Sequence, residues 1–341
     1  MADKTVTVKP AGQGGTYTTL ALAIAGELAI KADLTAADFY LGGPGILNIA
    51  ISGNWSGTPD GTFLDTIGFT TSAAYYLNIY TDDANRYKGK WDTTKYIFSP
   101  TVGNNRQFYL RTDYAVITGL QFEDTYTGDP NILFAINGIT ATNNRIQIKY
   151  CGFKCVFDAS HFHMCFVSYD VNAIVEIYNS VFWNLTSLAS AYDLDLTTSS
   201  SKLENITVYG GYRGIMNRGN GTTRCINVIA ANAVDVCFYD YTYMDGSGWC
   251  SSTDNSAVTR VGNNSVGNKT FSFVDATNGD FHLLVTDAGA KGLGTDGVTL
   301  GFTDDVDGVA RGAAPWDIGA DEYVAGVGAD FTEHRHTLLK F

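Results

Sequence analysis

The sequence predicts an all-β fold, a solenoid of short stacked strands, and three observations carry that prediction. The chain is rich in Gly, Tyr and Phe, with 37, 20 and 19 copies in 341 residues, and sparing in Lys, Glu and Arg. Those are residues of strands and tight turns rather than of surface helices. A pattern of alternating apolar residues, a small residue at a break and then an aromatic recurs in "YAVITGLQF", "NRIQIKYCGF", "AIVEIYNSVF" and "KLENITVYGGY". Its aromatics Phe122, Phe153, Phe182 and Tyr209 stand 31, 29 and 27 residues apart, and "TTRCINVIAANAV" follows as a degraded copy. Imperfect periods of this length mark stacked repeats. Finally, 45% of the residues are hydrophobic and 17% charged, enough to fill a long core and too apolar for a disordered chain.

Taken in order, residues 1–35 read as an opening strand and a capping helix. In "TYTTLALAIAGELAI" Leu20, Ala23, Ile24 and Leu28 share one helical face, with Thr16 or Thr18 placed as the cap. Residues 36–270 read as the coils, short alternating runs separated by Gly, Asn, Asp and Ser. At about 25 residues per coil there is room for roughly nine, a rod about 45 Å long at the strand spacing. A stack of parallel strands leaves two open edges. The helix suits one of them, and residues 271–325 are expected to close the other. Residues 326–341 form a tail whose "TLLKF" end is a candidate partner-docking arm.

The formal net charge of −13 argues against nucleic acid and against an anionic membrane surface. No segment approaches the roughly 18 apolar residues of a membrane span, and the N-terminus lacks the apolar stretch of a secretory signal. The expectation is a trimmed secreted protein or one made in a cytoplasm and carried out another way, as within a virus particle. The six cysteines contain no CxxC pair and read as buried thiols.

Several stretches carry a resemblance. "AGQGGTYTTLALAIA" resembles the N-terminal cap of right-handed parallel β-helix proteins of the pectate-lyase-like superfamily, and "YAVITGLQFE" and "NITVYGGYRGI" resemble their coils. "FVDATNGDFHLL" followed by "DDVDGVARGAAPWDIGADEY" resembles a C-terminal segment of bacterial and phage-encoded members, and "LNIYTDDANRYKGKWDTTKY" is similar to a stretch of phage members. The resemblance implies a single-stranded right-handed parallel β-helix. It leaves activity open, because the superfamily spans lyases, hydrolases, tailspike depolymerases and silent virion proteins.

For chemistry, the sequence has neither the "GHG" nor the "RIK" signature of the polygalacturonase-like hydrolases. The nearest lyase-like set is Asp193 and Asp195 in "YDLDL", which strand alternation puts on one face opposite Leu194 and Leu196, with Arg213 and Arg218 about one coil later. Such residues also serve simply as an outward charged surface that pairs across coils. Tyr239, Tyr241 and Tyr243 alternate on one strand face, with Trp249 following, as a stripe for sugar stacking, partner contact or shielding of the last coils. Asp304, Asp305 and Asp307 are the candidate ligands for a structural Ca²⁺, beside the reading that their carboxylates bond backbone and stabilise turns. No other cofactor is expected.

The function these features favour is a non-enzymatic structural protein of a phage virion surface, a capsid decoration or fibre/spike-like component, with glycan binding as an added role. A homotrimer contacting other virion or surface proteins and surface polysaccharide is the expected assembly. The alternative is a carbohydrate-active β-helix, a polysaccharide lyase or depolymerase acting on an acidic polysaccharide, and either secreted or at a cell surface.

Overall fold

The computed structural model describes residues 3–37, 43–100, 106–124, 131–140, 144–155, 163–184, 191–196, 200–217, 222–240, 247–299 and 301–324. The fold is an all-β parallel solenoid. One sheet stacks the strands Lys4–Val8, Leu47–Ile51, Leu77–Thr81, Tyr114–Thr118, Arg145–Lys149, Ile174–Asn184, Ser200–Gly210 and Thr222–Ala231, each parallel to the next, and Ser251–Ser252 continues the stack. A second sheet runs Leu64–Asp65, Phe108–Leu110, Asn131–Ile136, His163–Ser168, Ala191–Leu196, Arg213–Asn217 and Val236–Asp240. The sequence predicted this stacking. The middle coils add a second segment to the first sheet, Gln121–Asp124 and Gly152–Cys155, and each coil buries its inward side chains against the coils on either side.

The interior is a set of aligned rows. Val6, Ile49, Ile79, Ile117, Ile148, Ile177, Leu203 and Cys225 occupy successive coils in register, all buried. Phe122, Phe153 and Phe182 stack face to face at 4.7 and 4.6 Å, and Phe134 and Phe166 of the second sheet meet them edge-on at 5.4 to 6.0 Å. Offset stacks and T-shaped contacts are the arrangements that ring quadrupoles favour.

From Gly119 onward the coils turn the same corner in a left-handed backbone conformation. Gly119, Tyr150, Asn179, Asn205, Asn227, Trp249 and Asn264 follow one another through the coils with φ between 47° and 83°. Asn tolerates that region better than other non-glycine residues, which explains its repeated use. This corner corrects the predicted repeat. In the fourth copy the inward partner of Phe182 is Val208, whereas Tyr209 pairs with Trp183 and points outward.

One end closes with the expected helix and the other does not use the expected segment. The helix Leu20–Ile30 covers the first end, sending Leu20, Ala23 and Ile24 into the core as predicted, but its cap is Thr19, which accepts from the Leu22 amide at 3.2 Å. Its buried Glu27 is held by Lys4 Nζ at 2.5 Å and the Tyr17 hydroxyl at 2.8 Å. At the far end a short π-helical turn, Ala257–Val261, inserts Ala257 and Val261 into the same core. Residues 271–299 and 301–324 instead lie along the flank as a strap beside the asparagine corner. Asp304 accepts from the Tyr150 hydroxyl at 2.7 Å, the Gly319 amide donates to the Asn227 carbonyl at 2.9 Å, and Ala320 donates to Thr207 Oγ1 at 3.1 Å. The strap's carboxylates do bond backbone amides, as Asp305 does with Asp307 and Val309 and Asp317 with Gly292 and Tyr323.

Two further differences concern the opposite, interior corner. Cys155 and Cys165 are joined in a disulfide where buried thiols were expected; Cys151, Cys225, Cys237 and Cys250 are buried and free. One coil on, in register with that pair, stand Asn184 and Asp193.

Candidate functional site

A concavity arises where the strap meets the first sheet. Because Phe182 points inward, the next residue Trp183 must point out. Register then places Glu123, Lys154, Trp183, Tyr209 and Ala231 in one outward row along the solenoid axis. The loop carrying Lys90 to Thr93 forms one wall: the Trp91 amide donates to the Gly279 carbonyl at 2.9 Å, and Asp92 is clasped by the amide side chain of Gln121. Thr277 and Asn278, from the strap hairpin Phe273–Asp275 to Asp280–Leu283, form the other. Gly279 is required at its tip, since at φ +82° any Cβ would lie 2.6 Å from the Trp183 ring and 2.8 Å from Trp91 Cβ.

The result is a cleft of about 690 Å³ lined by Lys90, Trp91, Asp92, Lys154, Trp183 and Asn278. The two indoles lie 6.4 Å apart at 60°, and Lys154 Nζ sits 5.2 and 5.3 Å from their ring centres while bonding Glu123 at 2.8 Å. Both indole N–H groups are buried and have no hydrogen-bond acceptor. A second cleft of about 580 Å³ continues beyond the hairpin, lined by Tyr209, Asn232, Lys269, Phe271 and Phe273. Aromatic faces beside ammonium, hydroxyl and amide groups are suited to stacking on a sugar ring and bonding its hydroxyls. Acid–base chemistry is poorly served among the described residues here: the Asp92 carboxylate caps Thr94, and Glu123 is spent on Lys154.

The residues singled out from the sequence fall elsewhere. Asp193 and Asp195 are both completely buried and do not form an outward pair. Asp193 shares a register row with Cys165 and Cys237 inside the coil, and Asp195 lies between Val167 and Met216. Simple alternation fails because the strand starts on the inside of a corner, where Asp193 and Leu194 are both enclosed. Burial pushes the Asp193 carboxyl well above the usual range, with only a hydrogen bond from Asn184 opposing it. Arg213 pairs with Asp235 at 2.8 Å and stacks 3.8 Å over the Tyr239 ring. Tyr239 belongs to the second sheet and Trp249 to the asparagine corner, so they form no common stripe. Arg218, Tyr241 and Tyr243 lie outside the described residues.

Asp304, Asp305 and Asp307 do not converge either. Asp304 faces Tyr150 and Asn179, and Asp305 bonds its own turn. Burial, with Asp307 and Asp321 nearby, raises Asp305 to about 7. Among the described residues the donors that do converge are His282, Asp307 and Asp321, all buried and mutually within 4.8 Å. Burial opposes a charged His282, but its hydrogen bonds to Asp280 and Asp307 outweigh that and raise it well above the ordinary imidazole value.

No long apolar helix capable of crossing a membrane occurs among the described residues. Comparison with protein-family models, curated proteins and solved structures gave no match.

Proposed function

We propose that this chain is a non-enzymatic β-solenoid of a phage virion surface, a decoration or fibre/spike-like component, and that it binds a saccharide in the Trp91 to Trp183 cleft. The observation that supports this reading is the cleft itself: the Trp91 and Trp183 indoles flanked by Lys154 and Asn278, where the strap crosses the first sheet. Homotrimeric assembly and contact with other surface proteins belong to the same proposal.

A glycan array probed with the full chain and with Trp183→Ala tests it. Binding weakened in the variant, by roughly 2- to 10-fold for a stacked aromatic, is the expected result. Binding unchanged by Trp183→Ala assigns the sugar elsewhere. The lyase alternative is examined in the same samples by incubating uronic-acid polymers with Ca²⁺ and following ultraviolet absorbance, where product formation overturns the non-enzymatic reading.

A further inference from the structure

We propose that His282, Asp307 and Asp321 form a site for a divalent transition-metal ion of the zinc class, pinning the strap in place. The three come from separate pieces of the strap: His282 from the strand Asp280–Leu283, Asp307 from the turn after Asp304, and Asp321 from the loop after Trp316. Sequence order alone gives no hint that they meet.

Four observations support a metal over a simple buried ion pair. The donor set mixes one imidazole nitrogen with two carboxylates, which suits zinc-like ions, whereas Ca²⁺ and Mg²⁺ take oxygen. The imidazole is also already oriented: Nδ1 is 2.6 Å from Asp280 Oδ1, which fixes the ring and turns Nε2 toward Asp307 and Asp321. A carboxylate behind a histidine is the usual outer partner of a metal-bound imidazole.

The contact on the metal side differs. His282 Nε2 lies 3.3 Å from Asp307 Oδ2, long for a charge-assisted hydrogen bond. It matches the edge of about 3.3 Å between two ligands of a tetrahedral ion with bonds of ~2.0 Å. Finally, space is kept beside that nitrogen. At Gly89, φ +70°, a Cβ would stand 3.0 Å from Nε2 and 2.9 Å from Val306. The nearby buried cation does not serve these carboxylates by hydrogen bonding, because Arg311 donates to the carbonyls of Asp304, Asp317, Gly319 and Ala320 and to Glu322. A zinc-class ion would take Nε2 and one oxygen from each aspartate and keep a fourth position open.

The test uses the full chain stripped with a chelator and titrated by calorimetry with Zn²⁺, Co²⁺ and Ca²⁺ alone. The expected result is one Zn²⁺ per chain, visible d–d bands with Co²⁺, and no Ca²⁺ uptake. Asp307→Asn should abolish the site, and Asp280→Asn, which leaves every ligand in place, should weaken it roughly 10- to 100-fold. Circular dichroism confirms that each variant remains folded. X-ray absorption of the zinc-loaded wild type gives a check that needs no variant. One nitrogen with oxygens is expected, while sulfur or several imidazoles would place the ion elsewhere. Absence of Zn²⁺ uptake, or uptake unchanged in a folded Asp307→Asn, overturns the proposal and leaves His282 as a proton-bearing clamp.

Discussion

Replacing Asp193 separates an interior carboxyl from a surface catalytic one. Asp193 is fully buried in register with the Cys155–Cys165 layer, and neither of its oxygens has an acceptor or donor within ordinary reach apart from the Asn184 amide beside it. Its folded pKa is therefore raised, mainly by burial. The sign follows directly. At pH below the ordinary carboxylate range both folded and unfolded chains hold the proton, and the group's contribution is fully present. As pH rises, the unfolded chain releases the proton first, so stability is lost until the folded carboxyl also ionises. Asp193→Asn keeps the shape and removes the titration. Relative to wild type it should gain about 1.4 kcal/mol per pH unit across that interval. At acid pH the two proteins should differ little. Urea midpoints measured for both between pH 4 and pH 8 give the slope, and subtracting one protein from the other cancels all other groups. A stability difference that is flat with pH would refute the reasoning, as it would mean an ionised and solvated Asp193.

Phe153→Ala removes the ring that stacks at 4.7 and 4.6 Å on Phe122 and Phe182, and should cost about 3–5 kcal/mol in denaturant unfolding. Arg311→Met strands Glu322 and four strap carbonyls, so a loss of about 3–5 kcal/mol is expected. Limited proteolysis should then cut first within residues 284–324, and unchanged resistance would contradict the role assigned to that guanidinium. Glu176 is held below the ordinary carboxylate range by Arg145, Gln147 and Lys202 against the effect of burial, so its contribution is present above the unfolded value and lost as pH falls through the folded one. Glu176→Gln should flatten that acid-side loss, by no more than about 1 kcal/mol since Arg145 is exposed and Lys202 half-buried.

What could be read from the sequence was whatever repeats once per coil. Ile117, Ile148 and Ile177, and Phe122, Phe153 and Phe182, recur because every coil must present the same side chain to its neighbours. The same logic fails where a coil departs from the pattern. Tyr209 matches Phe182 in the sequence pattern because Val208 is a smaller residue than Phe182, although the corner residue Asn205 fixes the register and shows the slip. Strict alternation sets Asp193 outward, but alternation holds only within a straight strand, and Asp193 is buried. Trp183 did leave a signal, a large aromatic directly after an inward one, but its partners Trp91, Lys154 and Asn278 lie in distant segments that only the folded stack brings together.

The strap joins these points. A row such as Glu123, Lys154, Trp183 and Tyr209 on a bare parallel sheet is a flat surface, and a flat surface encloses little of a small ligand. Laying the hairpin Phe273–Leu283 across that row buries Trp183 and raises a wall opposite the loop carrying Lys90 to Thr93, with Phe273 and Phe281 packed on Tyr209 at 6.1 and 5.5 Å. The hairpin's own strand carries Asp280 and His282, and His282 faces the carboxylates of the turn and loop that follow while Asp280 holds its ring from behind. The segment read from sequence as a lid for an open strand edge thus has a different physical task. It converts a repeating face, equivalent at every coil, into one place on the solenoid that differs from all the others, and the cluster at His282 fixes where that place is.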